Sequence, residues 1–83
     1  IMSNLGKKIK IKWNDTGLFS PKQQRINISP METEGNLAFE NDNYFVVRNP
    51  MTINLTTKQQ HPKENPTFYL IPKGMVEMEI IET

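Results

Sequence analysis

The strongest constraint on this chain is a strict alternation of apolar and charged residues near its start. In Lys8-Ile9-Lys10-Ile11-Lys12-Trp13, the two isoleucines and Trp13 fall on one side of an extended backbone and the lysines on the other. Successive side chains of a strand point to opposite faces, whereas a helix would scatter these residues around its circumference, so the segment predicts a strand with one wet face. The same period recurs further on. Arg25-Ile26-Asn27-Ile28-Ser29 alternates before Pro30 closes it, so that Ile26 and Ile28 are expected to face a core, and Phe45 and Val47 share a face opposite Tyr44 and Val46. Met51-Thr52-Ile53-Asn54-Leu55-Thr56-Thr57 sends Ile53 and Leu55 inward, and Val76, Met78 and Ile80 fall on one side of the closing segment. Thr67-Phe68-Tyr69-Leu70-Ile71 is a further β-rich run.

Turn chemistry separates these runs. Asn14-Asp15-Thr16-Gly17 follows the first strand, and Pro21 ends what Leu18 and Phe19 begin. Residues 31–36 read as an acidic, glycine-containing loop, and residues 58–65 as an exposed polar one. Leu37-Ala38-Phe39-Glu40 and Tyr44-Phe45-Val46-Val47-Arg48 predict a hairpin whose Asn41-Asp42-Asn43 link takes the positive-φ positions. Asn49-Pro50 is expected to break the second of those strands, since Pro donates no ladder hydrogen bond. Pro72-Lys73-Gly74 reads as a turn, and no segment predicts a helix. About seven short antiparallel strands with frequent turn signals predict an all-β domain, a sandwich or small barrel. Residues 1–83 form a single domain on this reading, with residues 1–8 the remnant of an upstream domain or a linker. Its core is expected to hold Ile9, Ile11, Phe45, Val47, Ile53 and Leu55.

A chain of 83 residues buries only about 60–65% of its unfolded surface, so its stability margin is thin. With no Cys, neither disulfides nor thiolate metal sites add to it. Ten basic residues against nine acidic ones give a formal charge of +1, which argues against the one-sign field that nucleic acid or an anionic membrane attracts. No apolar run approaches the roughly 20 residues of a membrane span, and residues 1–6 are too short and polar for a signal peptide.

Few residues invite chemistry. His61 is the single histidine, beside Pro62 in a polar stretch, and Glu64 alone does not complete a metal site with it. Ser3, Ser20 and Ser29 lack a visible His-Asp context, and no glycine-rich phosphate loop is present. The expectation is no enzyme, no catalytic residue, no metal and no cofactor. Asn14, Asn27 and Asn54 open glycosylation-type triplets, which arise easily in Asn- and Thr-rich strands. Trp13 closes the apolar face of the first strand and is expected in the core. The row Lys8, Lys10 and Lys12 is the candidate binding site: it could meet a partner's carboxylate, contact phosphates, or simply keep an edge strand solvated.

Three pieces resemble the C-terminal domain of the periplasmic chaperones of the chaperone-usher pilus pathway. They are residues 9–18 (Ile-Lys-Ile-Lys-Trp-Asn-Asp-Thr-Gly-Leu), residues 44–55 with their Asn49-Pro50 break, and Leu70-Ile71-Pro72-Lys73-Gly74-Met75-Val76. Where the family's first motif carries Arg-Pro, this chain has Asn14-Asp15. The resemblance implies an immunoglobulin-like β-sandwich, a periplasmic setting, and a role in assembling pilus subunits by strand-mediated binding. It also implies that Lys10 anchors a subunit's terminal carboxylate. Two other functions fit the residues: a structural domain of a phage particle or surface appendage that packs against copies of itself as a homo-oligomer, and an oligonucleotide-binding barrel using the lysine row.

Overall fold

The computed structural model describes residues 4–15, 28–64 and 66–82. It is all-β: β1 (Lys8–Asp15), β2 (Ser29–Glu40), β3 (Tyr44–Asn54), β4 (Phe68–Pro72) and β5 (Val76–Ile81), with one 3-10 turn, Lys73–Met75, between the last two. These strands make a single antiparallel sheet in the order β4-β3-β2-β1-β5. The expectations placed on residues 16–21 and 25–27, and on Ser3 and Ser20, lie outside the described residues, whereas Ile28, expected to face the core, precedes β2 and is 57% exposed.

One sheet encloses its own core by curling. Trp13 on β1 and Tyr69 on β4 are three strand spacings apart in the order, about 14 Å if the sheet were flat. Their ring centroids are 5.7 Å apart, edge to face, so β4 has swung over β1. The 3-10 turn enforces this, because three residues carry the chain from one edge strand of the sheet to the other. Ile9, Ile11, Trp13, Met31, Leu37, Phe45, Val47 and Ile71 are buried inside the curl. A polar relay crosses the same interior: Trp13 Nε1 donates to Thr33 Oγ1 at 2.9 Å, and the Thr33 and Thr52 hydroxyls share a 2.7 Å hydrogen bond.

Two expected breaks are continuous strand, so five strands stand among the described residues where about seven were expected over the whole chain. Residues 31–36 run through the middle of β2, with Met31 and Thr33 buried. Asn49-Pro50 sits inside β3 as a bulge: Glu34 pairs with Met51 and Asn36 with Arg48, so two β3 residues oppose Gly35 alone. Asn49 adopts φ 50°, and the buried Pro50 needs no ladder N–H there. An extra residue shifts the side-chain phase by one. Phe45 and Val47 therefore face the core before the bulge, and Pro50 and Thr52 after it. Ile53 is left 37% exposed and Leu55 half-buried, so four of the six expected core residues are interior and these two are not.

A second bulge, at Ala38, places Phe39 opposite Val46 on the outer face. On β5, a shift between Lys12 and Trp13 puts Val76 on the core side but Met78 and Ile80 outside, so the three do not share a face. The β2–β3 hairpin forms as expected, though its turn works by side-chain capture and not by positive φ. Asn41 Oδ1 accepts the N–H groups of Asn43 and Tyr44 at 2.8 and 2.9 Å. Residues 4–7 are bonded to β2, with the Gly6 N–H donating to the Leu37 carbonyl and the Leu37 N–H to that of Lys7.

Candidate interaction surface

The outer face of the curl carries every residue singled out for binding. Lys8, Lys10 and Lys12 project from it, flanked by Asn36, Glu34 and Glu32 on β2. Ile80 and Met78 flank Lys10 and Lys12 on β5. Because β1 is paired on both sides, these lysines do not guard a sheet edge, contrary to the simplest expectation for them. Lys10 Nζ lies 3.2 Å from a Glu34 carboxylate oxygen and 3.9 Å from one of Glu32. The hydrogen bond to Glu34, then the charges of both glutamates, hold its ammonium above the usual lysine range. The row is thus a cross-strand charge ladder, partly neutralised at its centre.

Apolar side chains surround that ladder. Phe39 on β2 opposes Val46 on β3, which opposes Leu70 on β4, so three adjacent strands contribute one apolar row. Tyr44 extends it, its ring 6.0 Å from that of Phe39, and Phe68 lies two residues before Leu70 on the same face. Phe39 is 47% exposed, and Phe68 and Leu70 are each 51% exposed. At about half of an aromatic side chain's 150–250 Å² apiece, with Leu70 and the half-buried Val46 and Tyr44 added, the patch reaches a few hundred Å². That is the size of the largest apolar patch on a typical monomer, which is often functional. Arg48 stacks over Phe68 at 5.7 Å, leaving the patch with a cationic rim.

The two ends of the sheet differ. β4 reads Phe-Tyr-Leu-Ile-Pro and has no charged residue, while β5 carries Glu77 and Glu79 and is followed by Glu82. Beyond β4, the upper part of β3 is covered by the preceding loop: the His61 N–H donates to Thr52, Asn54 to Gln59, and Asn49 to Thr67. Lys73 ties the 3-10 turn to the hairpin, its Nζ 2.6 Å from Glu40 Oε2 and 4.8 Å from the Phe45 ring centroid.

Residues considered for chemistry are dispersed. His61 and Glu64 are exposed in the loop before β4, where His61-Pro62 is a cis peptide, and Ser29 begins β2. Among the described residues no three His, Cys, Asp or Glu gather as a metal site would require. Asn54 Oδ1 accepts the N–H groups of Thr56 and Thr57, so its carboxamide closes a turn. An open cleft of about 380 Å³ lies between Leu5-Gly6, the β2 bulge and Arg48-Asn49. Tyr69 packs half-buried against Trp13, where burial and then the Asp15 charge push its phenol above the usual tyrosine range. No described helix is long and apolar enough to cross a membrane.

The alternation of β1 marks the lysines, but no local pattern marks the patch. Phe39 became an outer residue only through the Ala38 bulge, and Phe68 and Leu70 could have faced either way until the register was known. No family model, curated relative or solved structure matches this chain.

Proposed function

We propose that this is a non-enzymatic protein-binding domain that takes an extended partner segment onto its open sheet edge. The observation that carries the reading is β4: a regular, uncharged strand with no partner on its far side among the described residues, next to the Phe39-Val46-Leu70-Phe68 patch. An added strand gains affinity from backbone hydrogen bonds and specificity from alternate side chains, and both are on offer here.

The same mode is what the pilus-chaperone resemblance implies, with a pilus subunit as partner and the periplasm as setting. That finer reading, with its immunoglobulin-like sandwich, rests on the three sequence pieces. It asks Lys10 to exchange Glu34 for a subunit's carboxylate. The oligonucleotide reading is the weaker one, because Glu32 and Glu34 sit inside the lysine row and oppose a phosphate backbone.

The test is a displayed library of extended peptides selected on the 83-residue chain, with selected peptides then titrated into isotope-labelled protein. Expected shifts fall on the amides of Phe68 and Leu70 and on the Phe39 and Val46 side chains. Peptides that bind equally well after Leu70→Glu, or that shift β1 and β2 alone, refute the assignment.

A further inference from the structure

We infer that β4 is a self-pairing edge, through which two copies of this chain join antiparallel about a two-fold axis at Leu70. The inference rests on the edge-binding reading above and names its partner.

Backbone polarity comes first. The Asn49 N–H donates to the Thr67 carbonyl and the Lys73 N–H to that of Asn43, bracketing the β3–β4 ladder at both ends. Bonded pairs alternate in an antiparallel ladder, so Tyr69 and Ile71 bond to β3, and Phe68 and Leu70 turn their N–H and C=O groups to the open side. Pro72 turns a carbonyl there but has no N–H to offer. Centring the pairing on Leu70 suits this asymmetry. The two Leu70 residues exchange N–H and C=O bonds, and each Phe68 N–H donates to the other copy's Pro72 carbonyl. Both Leu70 side chains then meet on the outer face, and the row Phe39-Val46-Leu70 continues into its symmetry mate.

Electrostatics and facing disfavour the antiparallel alternatives. Antiparallel pairing of β5 with itself about Glu79 sets two carboxylates opposite one another, and pairing about Ile80 still gathers the Glu77, Glu79 and Glu82 side chains of both copies along one seam, so like-charge repulsion opposes either register. Pairing β4 with another copy's β5 fails on facing. The Glu82 N–H donates to the Lys8 carbonyl, so Lys10↔Ile80 and Lys12↔Met78 are the bonded pairs, and Glu79 and Ile81 present the outward backbone. Opposite Ile11 and Ile9, their side chains fall on the core side of the sheet, Ile81 packed against the core and Glu79 exposed, whereas those of Phe68 and Leu70 lie on the outer side. Bonded antiparallel partners share a face, so that union would set one copy's outer surface against the other's interior side. Among the antiparallel pairings, β4 with β4 satisfies charge, facing and hydrogen bonding together. A five-residue strand covers less than the roughly 1,200 Å² of a standard interface, which makes the dimer a weak one that forms at high concentration.

Sedimentation velocity on the 83-residue chain, from about 5 to 500 μM, is the test. The mass is expected to rise from 9.7 kDa toward twice that value. Leu70→Lys sets two ammonium groups at the axis from a half-exposed position and should hold the chain at the monomer mass with an unchanged melting curve. Met78→Lys, equally exposed on β5, should dimerise as the wild type does. A dimer that survives Leu70→Lys, or is lost with Met78→Lys, overturns the assignment. A wild-type monomer throughout that still binds selected peptides at β4 removes self-pairing and leaves the binding role, whereas a monomer that binds none removes both.

Discussion

Gly35→Ala tests the bulge that sets the phase of β3. A Cβ built on Gly35 lies 2.5 Å from Val47 Cγ1, 2.6 Å from the Arg48 carbonyl oxygen and 3.3 Å from that of Asn49. Val47 is fully buried, and the two oxygens belong to the bulge itself, so relief requires moving backbone and not merely rotating a side chain. Overpacking of this kind costs typically about 1–3 kcal/mol, and contact with backbone argues for the upper end. Loss of glycine's unfolded-state freedom offsets about 0.4–1 kcal/mol of that. The net expectation is about 2 kcal/mol. With about 2.1 cal/mol/K of unfolding entropy per residue, an 83-residue domain should lose about 11 °C in Tm. Thermal and urea melts followed by far-UV circular dichroism measure this. Gly74→Ala is the internal control, because nothing lies within 4 Å of a Cβ there. Val47→Ala costs stability of its own by opening a cavity, but combined with Gly35→Ala the two losses should sum to less than their separate values, since the shorter side chain removes one close contact while the carbonyl contact remains. Equal melting temperatures for the Gly35 and Gly74 variants would refute the close-approach argument and, with it, the account of why Ile53 faces outward.

Two further predictions follow from the interior. Thr33→Val keeps the shape of the core but leaves the Trp13 N–H without its acceptor and the Thr52 hydroxyl without its partner, which should cost about 1–3 kcal/mol in denaturant melts. A melt within error of wild type would mean that the relay contributes nothing. Tyr69 should ionise above the ordinary tyrosine value of about 10. Because the folded state holds that proton more tightly than the unfolded one, its contribution to stability is complete below pH 10 and disappears as pH rises through the folded value. Absorbance at 295 nm should therefore show a late-titrating component that Tyr69→Phe removes, and survival of that component in the variant would contradict the burial described here.

Local signals carried the class of structure a long way. The alternation through Lys8–Trp13 can be satisfied only by a strand with one dry face, and Ile9, Ile11 and Trp13 are all buried. Phe45 and Val47 follow the same rule, and Asn41 marks the hairpin turn because its short amide can capture the next N–H groups.

Tertiary structure decided the rest, because register is a relation between strands and no single segment contains it. Asn49-Pro50 interrupts a strand when read alone, yet opposite Gly35, which has no side chain to obstruct it, the pair becomes a bulge within β3. That one extra residue exchanges the faces of everything after it, taking Ile53 out of the core and putting Thr52 in. Strand order acted in the same way on the edges. It enclosed the lysine row between two neighbours and left β4, a strand with no charge of its own, at the open end of the sheet.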